Sequence, residues 1–168
     1  AFGAPTASVV NGGTVDMHDF DKTLTTLSGS GGTLDLGSAT LTLQGATGVT
    51  ASYAGSIAGS GGLTKLGAST QTLTGASTYT GDTTIGGGVL DLDFSGTGGP
   101  VSGIISSAST LNMSGGRINV TGAAGGTNTQ TFDGVFISAG NNTINATSGT
   151  GGSLTVNLGA ITRTGGLM

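Results

Sequence analysis

The 168-residue chain has no cysteine, no tryptophan and no glutamate, only two prolines, and charged side chains at just 7% of positions. Without cysteine there are no disulfides and no thiolate metal ligands. That is compatible with the cytosol and equally with bacterial surface proteins that cross a periplasm. The four basic residues, Lys22, Lys65, Arg117 and Arg163, are scattered along a chain of net charge −4. No basic patch faces a phosphate backbone, so nucleic-acid binding is not expected. No apolar run reaches membrane-spanning length, and no signal peptide is recognisable. Membrane insertion is therefore not expected, and an export signal is expected outside the chain or removed ahead of Ala1. Helix formers are scarce and no window keeps apolar residues at helical spacing, so the reading is essentially no helix.

What the chain does have is glycine (36), threonine (30) and serine (18), together half of all residues. Threonine favours strands, and glycine supplies the positive φ angles of tight turns. Low charge with regularly spaced Leu, Ile and Val argues against disorder, which goes with low hydrophobicity and high net charge. Residues 1–22 are the least repetitive. Ser8 to Val10 and Thr14 to Met17 are expected as short strands around Asn11-Gly12-Gly13. From Lys22 the pattern settles into short alternating runs closed by glycine. Alternation puts Leu34, Leu36, Leu41 and Leu43 on one face, with Thr33, Asp35, Thr40 and Thr42 on the other. Later cores are Leu90/Leu92/Phe94, Leu111/Met113, Ile118/Val120, Phe132, Ile144/Ala146 and Leu154/Val156/Leu158. Segment 95–109, around Gly98-Gly99-Pro100, is the candidate protruding loop.

An internal repeat appears at an offset of 30 residues. Segment 29–50 (GSGGTLDLGSATLTLQGATGVT) aligns without gaps to 59–80 (GSGGLTKLGASTQTLTGASTYT), identical at twelve of 22 positions. The matches fall on turn glycines and on leucines expected inside, including Leu36/Leu66. A period of this size built of short strands is a solenoid signature. About 14–18 strands at two or three per coil give a parallel β-helix of about six to eight coils in a single domain, 1–168. A β-sandwich or roll is the alternative, but its inward faces carry larger and more aromatic residues. Thr, Ser and Asn at equivalent outward positions are expected to hydrogen-bond along the axis.

Within 61–92, Gly62-Leu63-Thr64-Lys65-Leu66-Gly67, Gln71-Thr72-Leu73-Thr74-Gly75, Tyr79-Thr80-Gly81-Asp82-Thr83-Thr84-Ile85 and Gly88-Val89-Leu90-Asp91-Leu92 succeed one another. This run resembles the autotransporter-associated β-strand repeat of bacterial surface-protein passengers. Ser77 stands where the repeat has Asn, and Gln71 where it has Leu. Segment 129–165 is similar to stretches that follow this motif. The resemblance implies an extracellular right-handed parallel β-helix (β-solenoid), exported and displayed at the cell surface, made of scaffold without catalytic residues.

Candidate sites are few. Asp16, His18, Asp19 and Asp21 form the densest polar cluster. They are weak candidates for a divalent cation, since carboxylates suit calcium and His suits zinc or copper. The plainer reading is a solvated edge that discourages aggregation. Gly31 to Asp35 loosely resembles a calcium nonapeptide, but the spacing is wrong and the equivalent position one repeat on is Lys65. Asp91 and Asp93, about 7 Å apart on one face, are loosely compatible with paired-carboxylate glycoside chemistry. No aromatic platform stands near them. Tyr53 and Tyr79 read as a packing ladder more readily than a sugar platform. Four Asn-x-Ser/Thr triplets (Asn112, Asn119, Asn141, Asn145) are expected by chance in a chain so rich in threonine.

No enzyme activity and no cofactor is expected. The leading expectation is an extracellular structural solenoid forming a stalk, fibre or filament by coil stacking. Its partners are then copies stacked head-to-tail or tandem neighbours in a longer chain, the join of Met168 to a following Ala1-Phe2-Gly3 resembling the repeat's own continuation. The alternative is an adhesin segment that binds glycans or a host surface through loops such as 95–109. A polysaccharide-acting enzyme comes third.

Overall fold

The computed structural model describes residues 8–9, 12–138 and 140–164. Among these are nineteen short strands and no helix. Every strand pair is parallel, and partners are always distant in sequence. This follows from the composition: strands of two to six residues cannot bury a hydrophobic face alone, and frequent glycine turns let the chain return one level up and pair with itself.

The longest sheet stacks seven strands, from Lys22–Leu24 through Leu41–Gly45, Leu63–Gly67, Thr83–Ile85, Leu111–Met113 and Gly134–Ile137 to Ala160–Arg163. A second sheet stacks five, from Thr50–Tyr53 through Thr70–Leu73, Val89–Asp93 and Gly116–Thr121 to Asn142–Thr147. Shorter sheets close the remaining side: Thr14–Asp16 with Thr33–Asp35 and Ser56–Ala58, and Thr127–Thr131 with Ser153–Asn157. Ser8–Val9 pairs with Leu27–Ser28. Asn11 of the expected Asn11-Gly12-Gly13 turn, and Val10 beside it, lie outside the described residues, as do the proposed junction residues at both termini, while Gly13 adopts φ +68°. Five levels contribute to both long sheets, so the β-solenoid has about five complete turns, fewer than the six to eight expected.

The register corrects the role of the sequence echo. Stacked positions are 19 residues apart from Lys22 to Leu41 and 28 apart from Thr83 to Leu111. The offset of 30 therefore does not separate stacked neighbours. Thr33 lies against Ser56, while Leu63 lies against Leu41 in another sheet. The echo reflects shared strand and turn grammar, and coil length is set by how much chain each corner takes up.

Alternation sets the interior. Leu34, Leu36, Leu41, Leu43, Leu90, Leu92 and Phe94 are buried as the pattern requires, with Thr42, Asp91 and Asp93 facing out. The core is one narrow continuous column, whose burial is the main stabilising contribution. One strand departs from the expectation. In Leu63–Gly67, Leu66 is half-buried on the outer face and Lys65 is fully buried between Leu43 and Ile85. Parity along the strand from Leu63 places Lys65 inside, overriding hydrophobicity. In the last described coil Ile144, Leu154, Val156 and Leu158 are only partly buried, and Ile161 is 59% exposed.

Candidate functional surface

The outward faces are built of small polar side chains repeated from level to level. In the five-stranded sheet one outward row runs Ser52, Thr72, Asp91, Asn119, Asn145. Asn119 Nδ2 donates to Asp91 Oδ1 at 2.5 Å, and Asn145 Nδ2 donates to Asn119 Oδ1 at 3.1 Å. Asn112 Nδ2 donates to Asp82 Oδ2 at 2.9 Å, and Asn157 Nδ2 to Thr131 Oγ1 at 3.2 Å. These are the axial ladders that equivalent positions imply. Asp93 accepts the Ser95 amide at 2.8 Å, closing a turn. The Asp91/Asp93 pair is thus occupied with ladder and turn contacts, and its two carboxylates work separately.

The acidic cluster near the start has a similar occupation. Asp16 Oδ1 accepts the His18 amide at 2.7 Å, and its other oxygen lies 3.0 Å from His18 Nδ1, with both side chains exposed. Asp19 Oδ1 accepts the Ser38 amide at 2.6 Å and the Ser38 hydroxyl at 3.0 Å. Asp21 Oδ1 accepts the Thr40 amide at 2.7 Å. Asp19 and Asp21 therefore cap the backbone of the next coil. The Ser38 amide holds the Asp19 carboxyl below its ordinary value of 3.8. His18 and Asp19 both adopt left-handed φ, 53° and 58°, which lets the chain turn tightly enough to aim these carboxylates. Among the described residues no three or more His, Cys, Asp or Glu side chains converge as for a metal ion. The comparison of Asp35 with Lys65 is also corrected: Asp35 stacks between Asp16 and Ala58, and its Oδ1 accepts the Gly37 amide at 2.9 Å.

Six polar side chains buried in the interior were missed as such, Gln71, Gln130, Tyr79, Thr83, Ser109 and Lys65. Gln71 reaches past Ala51, its stacking neighbour, to the backbone of Leu27, accepting the amide at 3.0 Å and donating to the carbonyl at 2.8 Å. Gln130 treats Ile105 the same way, at 3.2 and 2.9 Å. Both side-chain amides imitate a peptide group where the regular ladder is interrupted. Tyr79 Oη, Thr83 Oγ1 and Ser109 Oγ form a buried chain at 2.7 and 2.9 Å, ending on the Gly81 carbonyl. Burial pushes the Tyr79 phenol up. Lys65 Nζ donates to the Leu66 carbonyl at 2.6 Å, and burial lowers its ammonium from 10.5 to about 8. Tyr53 stacks on Leu73 and not on Tyr79, and both tyrosines are buried, so neither offers a platform to solvent. The available signal was parity: Gln71 alternates with Leu73, and Gln130 with Phe132.

Segment 95–109 divides in two. Val101 is 72% exposed, whereas Ile104 and Ile105 turn back into the core. Ser102 bridges to Thr129, and the Gly103 amide donates to the Thr129 carbonyl at 3.0 Å. Between the returning chain and the outer face of Thr127–Thr131 lies a cleft of about 340 Å³ lined by Ser102, Gly103, Ser107, Thr129 and Thr131. Its wall is hydroxyl and backbone, with no titratable group.

A chain of stacked parallel coils, alternating leucine and threonine and punctuated by glycine, has one matching family model: the passenger-associated-transport-repeat, over residues 63–92. The chain carries an autotransporter passenger repeat. The match runs from the strand Leu63–Gly67 through Thr70–Leu73 and Thr83–Ile85 into Val89–Asp93, and because Leu63 stacks on Thr83 and Thr70 on Val89 it spans more than one full coil. Over 164 residues, 98% of its length, the chain is 55% identical to the "Adhesin BmaC autotransporter" of Brucella suis biovar 1 (strain 1330). It spans about 5% of that protein's length. No solved structure matches it. The chain is thus a β-solenoid that carries a passenger repeat and is similar to a short part of that protein.

Proposed function

We propose that this chain is a non-enzymatic segment of an adhesive rod displayed on the bacterial surface, in which the coils are the shaft and the corner cleft makes contact. The similarity to a protein named as an adhesin supports the surface and adhesive parts of this reading. The observation that carries the contact is the cleft of Ser102, Gly103, Ser107, Thr129 and Thr131, where a corner leaves the shaft beside an exposed hydroxyl face. Such a surface suits neutral sugar hydroxyls, each contact weak and the display of many copies raising avidity. The test is retention of chain-coated beads on a neutral-glycan array and on host cells. Ser107→Trp, which fills the cleft from an exposed position, is expected to abolish retention. Retention unchanged by that substitution sinks the cleft reading.

A purely structural stalk is the second reading, supported by the uninterrupted seven-stranded stack. Here coils continue onto tandem neighbours in a longer chain or onto further copies. Electron microscopy of the purified chain tests the stacking of copies, since rods that lengthen with concentration are expected and discrete particles at every concentration exclude it.

A further inference from the structure

Arg117 is an exposed cation on the side of the shaft. It is the second residue of the strand Gly116–Thr121, on the outer face, stacked between Val89 below and Thr143 above. Its side chain is exposed, and among the described residues it makes no ion pair or side-chain hydrogen bond. Beside it runs a shallow groove of about 330 Å³ lined by Gly88, Val89, Gly116, Asn141 and Thr143.

Gly88 and Gly116 lie beneath the groove, and the packing keeps both positions glycine. Gly88 has φ +64°, and a Cβ there would strike the carbonyl of Ser69 and come within 2.7 Å of Lys65 Nζ. Gly116 has φ +98°, and a Cβ there would lie 2.9 Å from the Gly87 carbonyl carbon and the Gly88 carbonyl oxygen. Both positions are therefore closed to other residues. The floor is also rigid: the Arg117 amide donates to the Gly88 carbonyl, and the Gly116 amide to the Asn141 carbonyl, each at 2.9 Å.

An unpaired guanidinium at the rim of a groove with a flat backbone floor presents a planar fork of donors, which matches a carboxylate through two parallel hydrogen bonds. Thr143 and Asn141 supply neutral hydrogen-bonding groups on one side. Val89, half-exposed, supplies a small apolar contact on the other. The net charge of −4 gives no long-range attraction for an anion. Asp91, on the neighbouring outward row, is engaged by Asn119. Recognition must then come from short-range geometry, which favours a compact, hydroxylated ligand bearing one carboxylate over a polyanion drawn in by charge.

We propose that the Arg117 groove is a subsite for a carboxylate-bearing sugar, a uronate or another acidic pyranose within a surface glycan. Arg117 holds the carboxylate, Thr143 and Asn141 meet ring hydroxyls, and the glycine floor admits the ring. The choice of a sugar rests on the adhesive reading above, while the groove is separate from the hydroxyl cleft.

The test titrates the chain with a short uronate oligosaccharide, its carboxyl-reduced neutral counterpart, a sulfated oligosaccharide and an acidic peptide, following amide shifts by NMR. Uronate is expected to shift Gly116, Arg117 and Thr143, and the neutral counterpart to leave them unmoved. Arg117→Ala is expected to weaken uronate binding about tenfold or more, and Arg117→Lys to restore it only in part. Ser107→Trp is expected to leave it unchanged, so loss of bead adhesion and loss of uronate binding separate the two proposals. Uronate binding that is absent or insensitive to Arg117→Ala overturns the assignment. Equal or tighter binding of the sulfated sugar or the peptide at the same amides overturns the carboxylated sugar as ligand.

Discussion

Inside a solenoid this narrow, single polar residues matter more than their number suggests. Gln71 supplies two hydrogen bonds to Leu27 that no neighbouring strand supplies. Gln71→Leu keeps the volume, gives the residue the repeat usually has, and strips buried partners from a backbone amide and carbonyl. The expected result is a loss of about 1–3 kcal/mol in denaturant unfolding, although the substitution looks like a gain in hydrophobicity. Stability recovered or unchanged in that variant contradicts the peptide-mimic role. Lys65 gives a pH test. Its ammonium is held at about 8 in the folded chain against 10.5 when free, so the unfolded state binds more protons between those values. The burial penalty is complete below about pH 8 and is relieved as pH rises toward 10.5. The melting temperature is therefore expected to climb across that window relative to Lys65→Met, whose own profile lacks this rise. Parallel curves for the two proteins remove Lys65 as the cause.

At the scale of strands and turns, carboxylates at corners join one coil to the next. Asp19 has its folded pKa depressed by the Ser38 amide. Its contribution is thus present above the unfolded value near 3.8 and is lost as pH falls through the folded one. Hydrogen exchange reads this locally: the Ser38 amide is expected to exchange faster in Asp19→Ala at neutral pH, and in the natural chain once acidified below that range. Equal protection in both proteins refutes the cap. The strands themselves were legible from sequence, because alternation of Leu with Thr or Asp is a direct image of inside and outside. Register was not. Stacking depends on the length each corner consumes, and the corner from Ile85 to Val89 consumes far less chain than 95–109. Comparing Asp35 with Lys65 failed for that reason, and Leu66 was placed inside because its echo, Leu36, is. The polar corner cleft was anticipated only as a loop, since nothing in 95–109 marked Ile104 and Ile105 as returning to the core. The Arg117 groove needed Gly88 and Gly116 to be brought together from 28 residues apart, one coil in the stacked register.

For the molecule as a whole, the column of inward side chains ends in the described structure on Ile161, with Arg163 two residues on in the same row as Lys65. An apolar row with unpaired strand edges is a template for another strand. Sedimentation velocity of the purified chain is expected to show association that grows with concentration. Ile161→Lys, placing a charge on an edge that is already exposed, is expected to shift it toward monomer without lowering the melting temperature. Concentration-independent sedimentation of the natural chain argues against edge stacking.

The interruption bridged by Gln71 has a mechanical meaning. Where most levels are stitched by three to six register pairs per sheet, the step from Leu27–Ser28 to Thr50–Tyr53 has a single isolated bridge, Gly29 to Tyr53. Hydrogen bonds between coils run along the solenoid axis, so tension applied along that axis loads them end to end and tests each level in series. A series fails at its thinnest member. Two seams share that thinness, one held by Gly29–Tyr53 and Gln71 and the other by Ser102–Thr129 and Gln130, and under axial tension both are expected to yield ahead of the fully paired strands.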